Sequence, residues 1–140
     1  MAPRTIVLKG NGIRKEAPAG AAITPGHLIQ INSAGAAVVH ATAAVATAPA
    51  YAMENELFGN GIDDDYAATD QVLFEVLPPG SEVYALLAAA ATAVVVGSKL
   101  ESAGDGTVRL LAAGVAIAEA TEAVDNSGGG APARIIISTI

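Results

Sequence analysis

Residues 71–87 read QVLFEVLPPGSEVYALL, and this stretch decides the fold class of the chain. Within residues 71–77, β-branched and aromatic side chains recur at every second position, which predicts a β-strand. The Pro-Pro-Gly that follows predicts a turn, and residues 82–87 predict a second strand. The chain is therefore expected to be mainly β.

The rest of the chain carries short strand signals separated by glycine and proline. Pro25-Gly26 fits the centre of a type II turn, in which the glycine takes a positive φ, and residues 104–106 (Gly-Asp-Gly) fit a hairpin-like turn. Strands spaced by about ten residues with turns between them predict a small β-barrel or β-sandwich. Further strands are expected at residues 5–9, 28–31, 36–46, 107–111, 115–120 and 134–140.

Two segments carry helix signals. Around residues 50–57 a short helix would place Tyr51, Glu54 and Phe58 on one face. Residues 85–96 have the helix propensity of an alanine-rich segment, but the flanking valines favour a strand, a turn and a second strand. At most one or two short helices are therefore expected.

The composition predicts a single domain with a thin core. Of 140 residues 52% are hydrophobic, but much of this is alanine and only five residues are aromatic, so each apolar residue buries little surface. Such a core gains stability by association, which favours an oligomer. There is no cysteine, so disulfides and thiolate metal sites are not expected. The longest apolar run is about half the length needed to cross a bilayer, so a soluble protein made in the cytoplasm is expected, without membrane contact.

The charge is divided between a basic N-terminal segment and an acidic body. Residues 1–15 contain Arg4, Lys9, Arg14 and Lys15 and no acid, a charge of +4, whereas the remaining three bases face all fourteen acids, a charge of −11. The acidic body is unsuited to nucleic acid, because phosphate binding needs many clustered bases. We expect residues 1–20 to form an extended arm that docks on an acidic partner, and residues 21–140 to form one β-rich domain.

No constellation of residues predicts catalysis or a cofactor. Consecutive acids at residues 63–65 cannot all converge on one calcium ion, and the bidentate glutamate of a calcium loop is missing. A solvated loop explains them better, and no metal is expected. His27 and His40 have no recognisable nucleophile or acid partner in the sequence, so no catalytic residue is assigned.

The tetrapeptide Gly-Asn-Gly-Ile occurs twice, at residues 10–13 and 59–62. Basic residues follow the first copy and acidic residues the second. The repeat is explained by chance, because glycine and asparagine are common in turns and both copies are expected to form turns. A sharper hypothesis is that the two oppositely charged loops meet across a subunit contact. The acidic side of this contact would be formed by Asp63, Asp64, Asp65 and Tyr66.

Six blocks of residues follow one another along the chain: AGAAITPG (19–26), GIDDDYAATDQV (61–72), PGSEVY (79–84), VGSKL (96–100), GDG (104–106) and ARIII (133–137). In this order the blocks resemble the capsid decoration (head cement) proteins of tailed bacteriophages. The resemblance covers about residues 17–140, and Thr69 stands where many members carry glycine.

The resemblance implies a small β-tulip-like fold that assembles as a homotrimer on the outer surface of the virion head. Members bind after the shell expands and clamp neighbouring major capsid proteins. Many add a strand from an N-terminal arm to a capsid-protein loop. A β-sandwich adhesion or carbohydrate-binding module is the alternative, for which surface aromatics in a groove would be needed. The resemblance assigns the capsid-binding arm to Arg4, Thr5, Ile6, Val7, Leu8, Lys9, Arg14 and Lys15.

Overall fold

The protein is described by a computed structural model that covers residues 2–140. This part of the chain forms eleven β-strands and one turn of 3₁₀ helix, Glu56–Phe58. The strands are β1 Val7–Lys9, β2 Ile13–Pro18, β3 Ile29–Ile31, β4 Ala37–Val39, β5 Ala50–Ala52, β6 Gln71–Val76, β7 Glu82–Leu87, β8 Lys99–Ser102, β9 Val108–Leu110, β10 Ala118–Ala120 and β11 Ala133–Thr139.

Five of these strands close into a small barrel in the order β7-β11-β10-β8-β9. The antiparallel β7–β11 ladder is the longest in the barrel, and β9 closes the barrel by pairing in parallel with β7 at Leu87 and Val108. In β11 alternate side chains point inward, and Ile135 and Ile137 are completely buried. Strand β1 pairs with the first part of β7 and extends the sheet beyond the barrel.

A second layer packs beside the barrel. It consists of the three-stranded sheet β2-β6-β5 and the β3–β4 hairpin. A second apolar cluster lies in this layer; half of its buried residues are alanine, and its larger members are Ile23, Ile29, Tyr66, Val72 and Phe74. Tyr51 of β5 belongs instead to the barrel cluster, so it connects the two cores.

The structure confirms the expected mainly β fold with a small barrel. Strands over residues 71–76 and 82–87 form as the opening stretch predicts. The predicted turn at Pro25-Gly26 is also present. The N–H of His27 donates to the carbonyl of Thr24 (3.0 Å), and Gly26 has a φ of +97°.

The helix predicted around residues 50–57 is wrong. Residues 50–52 form strand β5, and only residues 56–58 make a helical turn. The three side chains expected on one face are separated, because Tyr51 is completely buried whereas Phe58 is 79% exposed. The cause is tertiary: β5 is held between β6 and Leu28, and these ladders override local helix propensity.

Residues 85–96 form no helix. Strand β7 ends at Leu87, a turn follows, and Val94 makes an isolated antiparallel bridge with Val124. The favoured alternative is therefore right for the first strand and the turn, whereas the second strand is reduced to one bridge.

Arg134 on β11 ties three separate segments together. Its guanidinium donates to the carbonyls of Pro25 and Ile62, both at 2.6 Å, and lies 5.6 Å from the centre of the Tyr84 ring. Its side chain is only 15% exposed. A largely enclosed guanidinium with several acceptors is strongly held, so this residue fixes the acidic loop and the Pro25 turn against the barrel.

Candidate interaction surface

The N-terminal segment is packed on the body of its own chain, which differs from the separate arm that the charge pattern predicted. Ile6 is completely buried in the barrel cluster. Its carbonyl accepts a hydrogen bond from the N–H of Tyr84 (2.7 Å), and Val7 lies opposite Val83 in the β1–β7 ladder. Val7 and Leu8 are half-buried. An apolar strand next to an open sheet edge pairs with that edge, and here β7 supplies it.

A buried glutamate holds the start of this segment. Glu54 is 7% exposed, and its carboxylate accepts hydrogen bonds from the N–H of Ile6 (2.9 Å) and the hydroxyl of Thr5 (3.0 Å). Hydrogen bonds to an ionised group are about twice as strong as neutral ones. Glu54 therefore anchors the start of the N-terminal segment, a role that the sequence alone did not predict.

The acidic partners of the basic segment include residues of the same chain. Lys9 pairs with Glu82 (2.9 Å), and Arg14 contacts Glu56 (3.1 Å) and Glu75 (3.9 Å). These cations are more than half exposed, so each pair contributes only about 0.2–1 kcal/mol. Part of the charge division is thus neutralised within the chain.

Arg4 and Lys15 are exposed and lie in different places. Arg4 lines a surface groove together with the loop Gly61 to Asp64, so the basic N-terminus and the acidic loop meet within one chain. Lys15 lies on β2, between a depression containing Leu57 and an apolar groove containing Ile31.

Strand β2 is an edge strand that the sequence reading missed. It pairs with β6 along its whole length, from Ile13 opposite Val76 to Pro18 opposite Gln71, and directly after its end Ala19 makes a parallel bridge with Ala37. Its first four residues are exposed. The sequence predicts this segment only as part of the extended arm of residues 1–20. The weak alternation of Ile13 and Ala17 is the one local signal of a strand.

The acidic loop divides into exposed carboxylates and one buried aromatic. Asp63 is exposed and lies 3.5 Å from Arg134, while Asp64 accepts a hydrogen bond from the N–H of Gly61 (2.7 Å). Asp65 is exposed. Tyr66 is 3% exposed and donates its hydroxyl to the carbonyl of Met53 (2.7 Å), so it is a core residue and is not presented at a subunit contact. The subunit contact of the three aspartates stays a prediction.

Both histidines have structural partners. The Nδ1 of His27 accepts the N–H of Thr24 (3.0 Å), and the Nδ1 of His40 lies 2.6 Å from the hydroxyl of Ser102, which is fully buried. Burial lowers the pKa of both rings, and at His27 the charge of Asp105 opposes this pKa shift in part. A serine without access to solvent cannot reach a substrate, so this pair is part of the packing.

Within residues 2–140, no cluster of three or more histidines, aspartates and glutamates is arranged to hold a metal ion. No helix in the same residues has the length and apolar character needed to cross a membrane. No protein-family model matches this sequence, and no curated protein matches it.

Proposed function

We propose that this chain is a capsid decoration protein of a tailed bacteriophage. It binds the outer surface of the expanded head as a homotrimer and clamps neighbouring major capsid proteins together. In this role the chain carries no cofactor and binds no nucleic acid; it acts by holding capsid proteins together.

The observation that carries the proposal is where the resembling blocks fall in the fold. The blocks at residues 19–26 and 61–72 meet at the Ile23–Tyr66 bridge, and the second runs into β6. The Pro-Gly of block 79–84 precedes β7, and the glycines of the later blocks precede β8 and β9. The blocks therefore occupy turns and strand entries, where backbone geometry restricts the residue type.

The backbone conformation of Thr69 is consistent with the same resemblance. Its φ is +74°, a left-handed conformation that a β-branched residue rarely adopts and that glycine adopts freely. The N–H of Thr69 donates to the carbonyl of Ala19 (2.8 Å), which joins the two blocks. Thr69 therefore adopts a backbone conformation that favours glycine, which is the residue expected at this position in the resembling proteins.

The aromatic residues weigh against the alternative, an adhesion or carbohydrate-binding module. Such modules stack sugar rings on exposed aromatic faces. Here Tyr51, Tyr66 and Phe74 are buried, and Tyr84 is half-buried under Arg134. Phe58 is the single aromatic side chain exposed in residues 2–140, and one ring does not make a binding platform.

In the proposed function the N-terminal segment acts while it is docked on the barrel. Strand β1 has β7 as its partner on one side, and its other edge can pair with a capsid-protein loop. Arg4, Lys9, Arg14 and Lys15 are all exposed, so they can steer an acidic partner toward this side of the molecule. Three copies per assembly would add weak contacts into a durable hold.

The test is sedimentation with empty heads assembled from the major capsid protein of the same genome. We expect the chain to sediment with expanded heads and to stay in solution with unexpanded heads, which are the matched control. Light scattering should give about three times the chain mass of 13.8 kDa. Equal binding to both head forms, or to neither, would contradict the proposal, and a monomer at micromolar concentration would contradict the trimer.

A further inference from the structure

We propose that copies of this chain associate through a contact between two different surfaces, in which the 3₁₀ turn of one copy is seated in an apolar groove of the next. The exposed pair Leu57 and Phe58 of this turn forms a knob. The groove lies between β3 and the sheet β2-β6-β5. The number of copies, three, rests on the proposed function, whereas the two surfaces are features of this chain.

The knob carries the two most exposed large apolar side chains of residues 2–140. Leu57 is 76% exposed and Phe58 is 79% exposed, and no residue of the turn is buried. The backbone of the turn is nevertheless fixed. The N–H of Gly59 donates to the carbonyl of Glu56 (3.1 Å), and Arg14 donates to the carboxylate of Glu56 (3.1 Å). Covering this apolar pair is favourable, and because the turn is already ordered the contact loses little entropy when it forms.

The groove is apolar and small. Its volume is about 270 Å³, which is below the roughly 300–1,000 Å³ of ordinary small-molecule sites. Ile29 and Phe74 are buried at its base, and Ile31 borders it with 48% of its surface exposed. A space of this size and character suits one or two apolar side chains of a protein better than a free ligand.

The charges around the two surfaces favour a second copy as the occupant. The groove is lined by one base, Lys15, and by no acid. Lys15 belongs to none of the ion pairs formed within residues 2–140. Residues 54–65, which contain the knob, carry five acids and no base. Lys15 of one copy and the acidic segment of the next therefore attract each other when the knob enters the groove.

The knob cannot fill the groove of its own copy, because β2 lies between them. Alternate side chains of a strand point to opposite faces of its sheet. Lys15 lines the groove and has Phe74 opposite it in β6. Arg14 and Glu16, on the other face of β2, line the depression that contains Leu57. Knob and groove thus lie on neighbouring sides of one strand, so successive copies are rotated strongly and a small closed ring is favoured over an open filament.

Disulfide cross-linking tests the contact directly, because the chain has no cysteine of its own. The double variant Leu57→Cys/Ala48→Cys places one thiol on the knob and one in the lining of the groove. The controls are its two single variants and Leu57→Cys/Val95→Cys, since Val95 is 63% exposed and lies outside the groove.

With copper phenanthroline as the oxidant, the first double variant should form covalent dimers and trimers of the 13.8 kDa chain at least tenfold faster than the controls. Cross-linking no faster than in the controls, or a disulfide formed only within one copy, would overturn the inference.

Charge substitutions test the same contact without thiols. Phe58→Asp should be monomeric by light scattering at micromolar concentration, whereas Val95→Asp, which also changes an exposed apolar side chain, should assemble like the wild type. Lys15→Glu should weaken self-association at least tenfold, because it places an acid beside the acidic segment of the next copy. Circular dichroism checks that each variant is folded. Self-association of Phe58→Asp or Lys15→Glu equal to that of the wild type would overturn the inference.

Sedimentation with expanded heads separates this inference from the proposed function. Cross-links as expected without head binding contradict the proposed function and leave the contact between copies standing. Head binding by a chain that forms no cross-link between knob and groove overturns the contact and leaves the decoration function standing.

Discussion

Replacement of Ile6 by alanine measures whether the basic N-terminal segment belongs to the core. Ile6 is completely buried in the barrel cluster, and truncation of a buried isoleucine to alanine typically costs about 2–5 kcal/mol. We expect the free energy of unfolding to fall by about 3 kcal/mol. The backbone hydrogen bonds of residue 6 with Glu54 and Tyr84 remain possible in the variant, so the change reports the side chain.

Ile13→Ala is the matched control, because it makes the same chemical change in the same basic segment. Ile13 is 66% exposed, and surface substitutions of this kind usually stay within about 0.5 kcal/mol of the wild type. Any effect of shortening an isoleucine on the unfolded chain is common to both variants. The difference between the two changes in unfolding free energy therefore measures the effect of side-chain burial.

The assay is urea unfolding followed by far-ultraviolet circular dichroism. With a slope of about 2 kcal/mol/M, Ile6→Ala should lower the midpoint by about 1.5 M and Ile13→Ala should leave it nearly unchanged. Equal midpoints for Ile6→Ala and Ile13→Ala would refute the docked segment and restore the free arm that the charge pattern predicts.

Three further predictions concern other parts of the structure. Thr69→Gly should stabilise the fold by about 0.5–1 kcal/mol, because relief of the left-handed strain exceeds the entropic cost of glycine; a loss of stability in urea would contradict the strained turn. Tyr66→Phe should cost about 1 kcal/mol through its lost hydrogen bond, whereas Tyr51→Phe should be neutral or stabilising, because the buried hydroxyl of Tyr51 has no partner within residues 2–140; the reverse order of their melting temperatures would contradict this assignment. Burial lowers the pKa of His27 and His40 below the ordinary 6.5, so the unfolded chain binds more protons and stability should fall as the pH drops below about 6.5, by at most about 1.4 kcal/mol per pH unit for each ring. A free energy of unfolding that rises as the pH falls from 6.5 to 5.5 would contradict this prediction.

Strands with a strong alternating pattern could be predicted from the sequence. Residues 71–76 and 82–87 carry β-branched and aromatic side chains at the period of a strand, and both form within a residue of the expected bounds. In these strands the local pattern and the tertiary ladder favour the same structure, so the local signal is sufficient.

The elements that were missed owe their structure to pairing. Half of the residues of strand β2 are charged and the strand ends in proline, and β5 is two alanines around one tyrosine; neither has a local preference for strand. Both become strands because they flank β6. Sequence periodicity cannot reveal this, because the information lies in the neighbouring strand.

Of the candidate surface, only the positive charge could be predicted from the sequence. The basic residues of the N-terminal segment are evident from the sequence, but the acids that they meet are fixed by the ladders. Lys9 meets Glu82 because β1 pairs with β7, and Arg14 meets Glu75 because β2 pairs with β6. The open edge of β2 and the exposed Leu57 likewise follow from topology.

The most direct test of the proposed function is an electron cryomicroscopy reconstruction of expanded heads saturated with this chain. The proposal predicts added density on the outer surface at the three-fold and quasi-three-fold positions of the lattice, with the small barrel repeated three times in each assembly. Heads that gain no density, or gain it only on the inner surface, would contradict the proposal that this chain is a decoration protein.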